Sequence, residues 1–315
     1  MSGTAVGAST AAARRKRLAR PNGKYGYYYL MAAPALIGFF LFHYVPMYGV
    51  ILAFKDYKFA LGIMGSPWVG FEHFERFFTD PFFWRILRNT VVISSLHILF
   101  GFPAPIVLAL LFNELVHKRF KIAMQTISYL PHFMSWVILS GVLIEVLSPS
   151  RGAVNYLITL LGGKPVYFLA DSHYFVGVLI ASHVWQSVGW GSVVYLAGMA
   201  GINPDQYESA RIDGATRIQQ MRYITIPSLV PIMTILFILS VGGILNAGFD
   251  QIFNLYNPAV YHVADVIDTY VYRVGLLETK YGFSTAVGLV KNVVGLVLVL
   301  SANWIIKRFN EYGLW

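Results

Sequence analysis

The sequence contains no cysteine and carries little charge. Without cysteine, the chain has no disulfide, no thiolate metal site, no iron–sulfur cluster and no cysteine nucleophile. Charged residues make up 12% of the 315 residues, about half of the roughly 25% found in an ordinary soluble domain. Hydrophobic residues make up 57%, and the mean hydropathy is +0.58. This composition argues against disordered chains, coiled coils, fibrous proteins and soluble enzymes, and it favours an integral membrane protein.

The motifs of several catalytic classes are also missing. There is no phosphate-binding Gly-x-x-x-x-Gly-Lys-Ser/Thr loop, no His-Glu-x-x-His pair and no Gly-x-Ser-x-Gly elbow. The histidines are scattered, and His97, His132 and His183, in or near apolar runs, are interpreted as packed or pore-facing side chains. We therefore predict no catalytic residues and no metal ligands. Any work across a membrane must then be driven by an ion gradient or by a partner ATPase, unless the protein is a passive channel.

Long apolar runs dominate the rest of the sequence. A membrane-crossing helix needs roughly 20 mostly apolar residues, because the hydrocarbon layer is about 30 Å thick. Runs of sufficient length cover residues 25–54, 89–113, 122–144, 172–204, 223–249 and 281–306, the last interrupted only by Lys291. The sequence therefore predicts an all-α fold, a polytopic membrane helix bundle of six transmembrane spans within residues 25–306.

The distribution of Lys and Arg predicts the orientation of these spans. An even number of spans places both termini on one side, and that side carries more than half of the 24 basic residues. We expect a basic cytoplasmic tail over residues 1–24, a cytoplasmic C-terminus over residues 307–315, and a multi-pass protein of the bacterial cytoplasmic (inner) membrane. The net charge of +9 is then a signal of topology, and no nucleic acid partner is predicted.

Two longer connections are predicted on the outer side. Residues 55–85 are rich in Phe and Trp, and aromatic rings favour the membrane interface. We predict that this segment forms a helix lying flat on the outer surface. Residues 148–171 contain several Gly and Pro residues and are interpreted as turns and loop.

The connection between the fourth and fifth spans, residues 203–227, is the most informative stretch. Asn203 is a candidate N-cap, with Pro204 at the first position of a short helix. Gly214 weakens or bends that helix, at a cost of about 1 kcal/mol relative to Ala. A second helical stretch leads to Pro227, where the chain re-enters the membrane. The pattern predicts a helix–glycine–helix elbow in the cytosol, with an ordinary amphipathic connection as the alternative.

This elbow resembles the cytoplasmic loop of permeases from binding-protein-dependent ABC importers of the type I family. The family pattern is Glu-Ala-Ala, three residues, Gly, nine residues, Ile, one residue and Leu-Pro. The chain has Glu208-Ser209-Ala210, Gly214, Ile224 and Ile226-Pro227 at all of these spacings. The chain departs from the family pattern at two positions, with Ser209 in place of Ala and Ile226 in place of Leu. Each replacement is close in size or character to the family's residue.

The resemblance extends over nearly the whole chain. Residues 65–70, 129–133, 257–261 and 265–273 are similar to the subgroup that imports polysaccharides and complex oligosaccharides. Within that subgroup the chain resembles alginate-importer permeases, which implies alginate or another uronate among the candidate substrates.

The resemblance implies a non-catalytic permease that works by alternating access. It implies four kinds of protein or ligand partner beside membrane lipid: a second homologous permease in a heterodimer, two ATP-binding cassette subunits, a periplasmic or extracellular solute-binding protein, and the oligosaccharide. ATP and Mg²⁺ belong to the cassette subunits, and this chain itself carries no cofactor. By this resemblance, ATPase-coupling roles fall to Glu208, Ser209, Ala210, Asp213, Gly214, Ile224 and Pro227.

Candidates for the substrate path come from polar and aromatic residues in the spans. Lys291 is the clearest, because a charge inside a membrane span is costly; it either faces the cavity, where it suits an anionic sugar, or snorkels to the outer interface. The other candidates are Trp185, Trp190, Tyr195, Asn246 and Asp250, with bundle packing or interface anchoring as the alternative for the aromatic residues. Candidates for close helix packing are Gly189, Gly191, Gly198 and Gly201, with ordinary lipid-tolerated glycines as the alternative.

Two other functional classes compete with an ABC permease. An ion-coupled secondary sugar transporter predicts paired acids or unwound half-helices in mid-membrane, yet no acid lies within the six runs. A membrane-embedded enzyme needs a nucleophile or a metal cluster near one face, and the sequence shows neither.

Overall fold

The computed structural model describes residues 26–309, and most of these residues are helical. The only β feature within that range is an isolated antiparallel bridge between Lys55 and Trp68. A helix satisfies its backbone hydrogen bonds within its own segment, which is what a lipid environment requires. The predicted all-α membrane bundle is confirmed, while residues 1–24 and 310–315 of the predicted cytoplasmic ends lie outside the described residues.

The chain divides into two compact units, with the boundary after Ile51. Helix α1 (Gly26–Phe39) lies in the first unit and continues through the helical turns Phe40–Tyr44, Val45–Met47 and Tyr48–Phe54, the last of which extends past the boundary. Residues Tyr27–Phe54 form a 28-residue apolar helix, long enough to cross a membrane. This helix matches the first predicted span.

The second unit contains the remaining principal helices. They are α2 (Glu72–Thr79), α3 (Phe83–Gly101), α4 (Pro103–Glu114), α5 (Lys118–Tyr129), α6 (Trp136–Val146), α7 (Ala153–Leu160), α8 (Ser172–Ala200), α9 (Pro204–Ile212), α10 (Arg217–Gln220), α11 (Ile226–Gly242), α12 (Phe249–Leu255), α13 (Ile267–Val271) and α14 (Tyr281–Phe309). Shorter helical turns lie at Phe59–Leu61, Gly62–Gly65, Leu130–Phe133, Met221–Thr225, Pro258–Val260, Tyr261–Ala264 and Tyr272–Leu277.

Four helices in the described part of the chain are long and apolar enough to cross a membrane, and a bent pair raises the number to five. The four are Tyr27–Phe54, Phe83–Glu114, Arg217–Gly242 and Tyr281–Arg308. The remaining predicted span corresponds to α8, whose 29 residues extend about 44 Å at ~1.5 Å per residue. It contains no Asp, Glu, Lys or Arg but is richer in Gly, Ser and His, which lowers its hydropathy.

The third predicted span, residues 122–144, is broken in the structure. The segment Lys118–Phe133 and helix α6 meet at an angle of 105°. Pro131 lies in the turn that ends the first segment, and proline disfavours helix continuation both at its own position and at the residue before it. Ser135 then starts α6 as its N-cap, accepting a hydrogen bond from the Ile138 N–H (3.5 Å).

The predicted loop over residues 148–171 contains helix α7, so that part of the prediction was wrong. Asn155, which is buried, holds the segment together. Its amide donates to the carbonyl oxygens of Leu147 (3.1 Å), Ser148 (3.1 Å) and Val166 (3.0 Å). Its side-chain oxygen accepts from the Val166 N–H at 2.7 Å. One amide thus organises a connection whose Gly and Pro content alone indicated turns.

Helix α8 lies at the centre of the second unit, in contact with α3, α4, α5 and α11. Gly189 packs directly against the Ser128 carbonyl, and Gly191 and Gly198 pack against Pro105 and Ile232, so an added Cβ would collide at all three. The predicted close packing is confirmed at these positions. The fourth glycine, Gly201, approaches only its own helix.

The aromatic segment 55–85 contains helix α2, whose buried residue is Phe77. Phe77 packs against Phe83 and Phe283 in a core cluster shared with α14. Trp68 and Trp84 remain exposed. The segment is thus attached to the bundle, and its flat placement on the membrane surface stays a prediction.

Candidate functional site

The elbow begins as predicted from the sequence. The Asn203 side-chain oxygen accepts the Asp205 N–H at 3.0 Å, and Pro204 occupies the first turn of α9. This cap satisfies one of the N–H groups that a helix start leaves without a partner. Asn203, the predicted N-cap, therefore marks the start of the elbow.

Gly214 ends α9 in a left-handed conformation. Its φ is +79°, which a residue with a Cβ adopts only at a cost. The turn is closed by the Ala215 N–H, which donates to the Ala210 carbonyl at 2.8 Å, and by the Gly214 N–H, which donates to Arg211 at 3.1 Å. The predicted helix–glycine–helix elbow is confirmed, and no atom outside the turn comes within 4 Å of a Cβ placed at Gly214.

Hydrogen bonds link the second half of the elbow to the turn before it and to helix α9. Thr216 and Gln219 form a capping box at the start of α10. The buried Gln220 donates from its amide to the Ala215 carbonyl at 2.9 Å. The Tyr207 hydroxyl of α9 bonds to the Thr225 hydroxyl at 2.9 Å. The Tyr207–Thr225 bond therefore joins α9 to the helical turn that leads into α11.

Most of the predicted coupling residues are accessible. Glu208, Ser209, Asp213, Gly214 and Pro227 are exposed, and Ala210 and Ile224 are half-buried. Pro227 lies in the first turn of α11, which follows the π-helical turn Met221–Thr225, and a first helical turn tolerates the missing N–H of proline.

Large apolar residues on the elbow were missed by the sequence interpretation. Ile212 is 87% exposed, Ile218 is 76% exposed and Tyr223 is 68% exposed. Large apolar side chains exposed on a polar connection make this surface a candidate for contact with another protein. The available signal was the presence of isoleucines in a polar segment, but only the structure shows that they point outward.

A cavity of about 540 Å³ lies between α3, α4, α8 and α11. Its polar lining residues are Ser94, His97, His183, Ser187, Tyr195, Ser240 and Asn246, and its apolar lining includes Ile98, Phe102 and Leu236. No Asp, Glu, Lys or Arg is among the lining residues. A concave site with apolar walls and a few polar groups is typical of small-ligand pockets.

The cavity contains two of the six predicted path residues, Tyr195 and Asn246. The fifth span ends at Gly242 rather than at residue 249, so Asn246 lies in the turn that follows α11. Asp250 belongs to the separate helix α12 and does not line the cavity.

The two predicted tryptophans also lie outside the cavity lining. Trp190 stacks on His132, with ring centroids 5.1 Å apart and planes 4° apart, and also contacts Phe133. It therefore covers the break between α5 and α6. Trp185 is partly exposed on α8. These positions fit the packing alternative for Trp190.

Lys291 is paired rather than directed into the cavity. Its ammonium donates to the Asp268 carboxylate, and the two side chains are 14% and 23% exposed. The pocket that it lines is otherwise almost wholly apolar, with Phe77, Phe83 and Val287 among its members. A partner carboxylate compensates the charge that seemed isolated in the sequence.

The segment that carries Asp268 is held by further polar contacts. Arg273 donates to both carboxylate oxygens of the buried Asp265, at 2.7 and 3.3 Å. Tyr270 donates to Asp80 at 2.5 Å, and burial followed by this hydrogen bond raises the pKa of Tyr270. The segment is thus linked through Tyr270 to the residue that follows α2 and through Asp268 to α14.

The described residues contain no group of three or more His, Asp or Glu side chains that could hold a metal ion. The arrangement instead combines a rigid, accessible elbow at one end of the bundle with an uncharged cavity between spans. Such an arrangement is suited to passing movement from a partner to a passage.

Comparison with protein families gives a match over residues 101–311 to the binding-protein-dependent transport system inner membrane component. The match includes the whole elbow and most of the cavity. The chain belongs to this family. It is therefore a multi-pass permease component of the inner membrane, and the resemblance inferred from the elbow motif is confirmed.

Individual relatives match over almost the full length of this permease. The polygalacturonan/rhamnogalacturonan transport system permease protein YteP of Bacillus subtilis (strain 168) is 43% identical over 302 residues, 96% of this chain and 94% of the relative. A bacterial ABC transporter involved in the import of the acidic polysaccharide alginate has a solved chain with 44% identity and a TM-score of 0.84. That match covers 93% of this chain and 99% of the solved one.

A second solved structure is the bacterial alginate ABC transporter in complex with an alginate pentasaccharide-bound periplasmic protein. Its matching chain is 43% identical, with a TM-score of 0.83, and the match covers 92% of this chain and 97% of that chain. The helix bundle described above therefore has the same overall fold as these importer chains.

Proposed function

We propose that this permease moves acidic oligosaccharides or polysaccharides, such as alginate or another uronate, into the cytoplasm by alternating access. Full-length similarity to a permease of a polygalacturonan/rhamnogalacturonan system and to an alginate transporter chain supports the substrate class. The uncharged cavity fits it, because no carboxylate in the lining repels an acidic sugar. The observation that carries the proposal is this full-length likeness combined with the elbow.

The chain provides the passage and the mechanical connection, and it catalyses no reaction. Two ATP-binding cassette subunits bind ATP and Mg²⁺ and close on each other, and each cassette groove moves a coupling elbow. Here the exposed Ile212 and Ile218 enter the groove, while Glu208 and Asp213 accept hydrogen bonds from the cassette subunit. Because α9 is bonded to the next span through Tyr207 and Thr225, the span follows the groove and the bundle changes between its two states.

The complete importer contains a second, homologous permease, so that the pathway lies between two different chains. The solute-binding protein delivers the sugar from outside, and hydrolysis resets the complex. Both termini lie in the cytoplasm, as the distribution of basic residues indicates. Exposed apolar faces on the spans provide surface for the second permease as well as for lipid.

The proposal is tested with the reconstituted complex of both permeases and the cassette subunits in liposomes. We expect ATPase activity to rise severalfold when the solute-binding protein is loaded with uronate oligosaccharides, and little with neutral glycans. Uptake should require ATP. Uptake that persists without ATP and collapses with an ionophore would instead support an ion-coupled secondary sugar transporter.

A further inference from the structure

An apolar groove of about 390 Å³ lies between helices α3 and α14, and we call it the α3–α14 groove. Helix α3 contributes Phe83, Leu87 and Val91, and α14 contributes a row of residues that runs from Val287 to Leu298. Residues three and four positions apart share one face of a helix. The groove is therefore bounded by one apolar stripe from each of two membrane-spanning helices.

The lining of the α3–α14 groove offers nothing for water to bind. Of the described residues that line it, Lys291 alone carries a polar side chain, and its ammonium is already paired with the Asp268 carboxylate. Apolar cavities of this kind stay dry, and proteins leave few voids larger than a water molecule. Something apolar is therefore needed to fill the groove.

The groove leads from the surface of the spans to buried positions. Val91 and Val294, which line it, are 37% and 38% exposed, and both lie in helices long and apolar enough to cross a membrane. Leu245 and Val287, which also line it, are 7% and 1% exposed. A molecule that enters from the surrounding lipid can therefore reach the buried wall.

The dimensions of the groove suit a hydrocarbon chain. The row from Val287 to Leu298 extends roughly 16 Å along the axis of α14, at ~1.5 Å per residue. A volume of about 390 Å³ spread over that length leaves a channel narrower than a helix with its side chains, which measures about 10–12 Å across. A helix of the second permease is too wide to enter it, whereas a single acyl chain aligned with the spans fits.

The position of one end of the groove indicates which lipid would enter. Phe77 and Phe78 of α2 line that end, and α2 belongs to the aromatic segment on the predicted outer side. Aromatic residues favour the level of the lipid headgroups. A phospholipid of the outer leaflet can therefore keep its headgroup beside α2 while one of its chains follows α14 into the membrane.

We infer that the α3–α14 groove binds one acyl chain of an outer-leaflet phospholipid. The bound chain packs against Ile244 and Leu245, which follow α11 beside the cavity residues Gly243 and Asn246. Lipid thus completes the packing behind the wall of that cavity. This inference goes beyond the proposed function and does not depend on which sugar is carried.

The test uses the complete complex of both permeases and the cassette subunits in nanodiscs. The probe is phosphatidylethanolamine with a diazirine in the middle of one acyl chain, and mass spectrometry maps the residues that it labels after illumination. We expect label on Leu245 and Val287, because these buried residues meet lipid only inside the groove. Label on exposed positions such as Val293, with none on Leu245 and Val287, would overturn the inference and would mean that side chains of the second permease fill the groove.

A bulky substitution at the opening of the groove provides a second test. In Val294→Trp we expect roughly tenfold less label on Leu245 and Val287, since an added ring overfills the apolar site. Val293→Trp is the matched control, because Val293 is an exposed neighbour on α14 that does not line the groove, and its labelling should equal that of the unmodified complex. Undiminished label in Val294→Trp would contradict the inference.

The opposite wall keeps the test decisive if Val294→Trp fails to assemble with the cassette subunits. Val91 of α3 lines the groove, whereas its exposed neighbour Val92 does not. Val91→Trp should lower the label on the buried wall, and Val92→Trp should not. Equal labelling in these two variants would show that lipid does not enter between α3 and α14.

Discussion

Lys291 shows how a single charge is accommodated within an apolar span. Its ammonium, in α14, meets the Asp268 carboxylate of the outer segment in surroundings that are otherwise apolar. The sequence identified the lysine as unusual but left open whether it faces the cavity or the outer interface. Its partner could not be predicted, because the two residues are 23 positions apart and only the packing of α13 against α14 brings them together.

Breaking this pair should destabilise the permease. Lys291→Met leaves Asp268 as a half-buried charge, with an expected cost between the roughly 0–1 kcal/mol of exposed pairs and the 3–5 kcal/mol of buried ones. The double variant Lys291→Met/Asp268→Leu should recover most of that loss. Thermal unfolding of the detergent-purified complex measures both effects.

Transport measurements on the same variant separate a structural role from recognition. Because Lys291 does not line the cavity, charged and neutral oligosaccharides should lose uptake to the same degree. A selective loss of charged substrate would place Lys291 in the substrate path after all.

Gly214 is the second single residue with a specific structural role, which is to end α9. A left-handed conformation costs a residue with a Cβ roughly 1–2 kcal/mol, so Gly214→Ala should loosen the end of α9 without a steric collision. We expect reduced uptake per ATP hydrolysed, because the elbow then transmits movement less faithfully. The measurement is the ratio of transport to ATPase rates in liposomes.

The matched control for this change is Gly177→Ala. Gly177 lies inside α8, has no positive φ, and no atom lies within 4 Å of an added Cβ. The ratio of transport to ATPase rates for Gly177→Ala should equal that of the unmodified complex. An unchanged ratio in Gly214→Ala would show that the elbow tolerates a different end to α9.

At the scale of elements, the sequence predicted the helices better than their interruptions. Charge-free length located the long apolar helices because lipid requires apolar, internally bonded helices. The break at Met134 and Ser135 was missed because hydropathy measures only how apolar a segment is. It does not show that one helix ends in a turn containing proline and that a serine N-cap starts the next. Helix α7 was missed because the buried contacts of Asn155 override the turn-forming residues around it.

The elbow was predictable for a different reason. Its Asn203 cap, Gly214 and Pro227 are local signals, each with a direct backbone consequence. The cavity was only half predictable: Tyr195 and Asn246 were identified by residue type, whereas the His97–His183 stack depends on two helices approaching each other. Local chemistry is visible in a sequence, and contacts between distant elements are not.

The exposed face of the elbow leads to a prediction about assembly. Replacing Ile212 by Asp puts a charge where an apolar side chain should enter the cassette groove, and burying an unpaired charge is unfavourable by several kcal/mol. We expect loss of co-purification with the cassette subunits. Leu161→Asp is the matched control, since Leu161 is similarly exposed in the connection after α7, and it should leave co-purification unchanged. Retained binding by Ile212→Asp would exclude Ile212 from the interface.

At the scale of the whole molecule, the internal contacts leave much apolar surface uncovered. Of the residues in the most apolar windows of the spans in the second unit, between 17% and 22% are buried within the chain. Lipid and a second permease are the surroundings that remove such surface from water. This exposed apolar surface agrees with a bundle that faces lipid and, in the proposed importer, a second permease.

The orientation of the bundle in the membrane decides whether the elbow can meet an ATPase at all. The absence of cysteine from the chain allows a direct test, because each introduced cysteine is then the only reactive thiol. Val116 lies between α4 and α5, on the predicted cytoplasmic side, and Ser150 lies between α6 and α7, on the predicted outer side; both are exposed. Ser150→Cys should react with a membrane-impermeant maleimide in right-side-out vesicles, and Val116→Cys only in inside-out vesicles. The opposite pattern would place the elbow outside the cell, where no ATP-driven subunit could reach it, whereas the expected pattern puts Gly214 and Ile212 on the side where ATP is available.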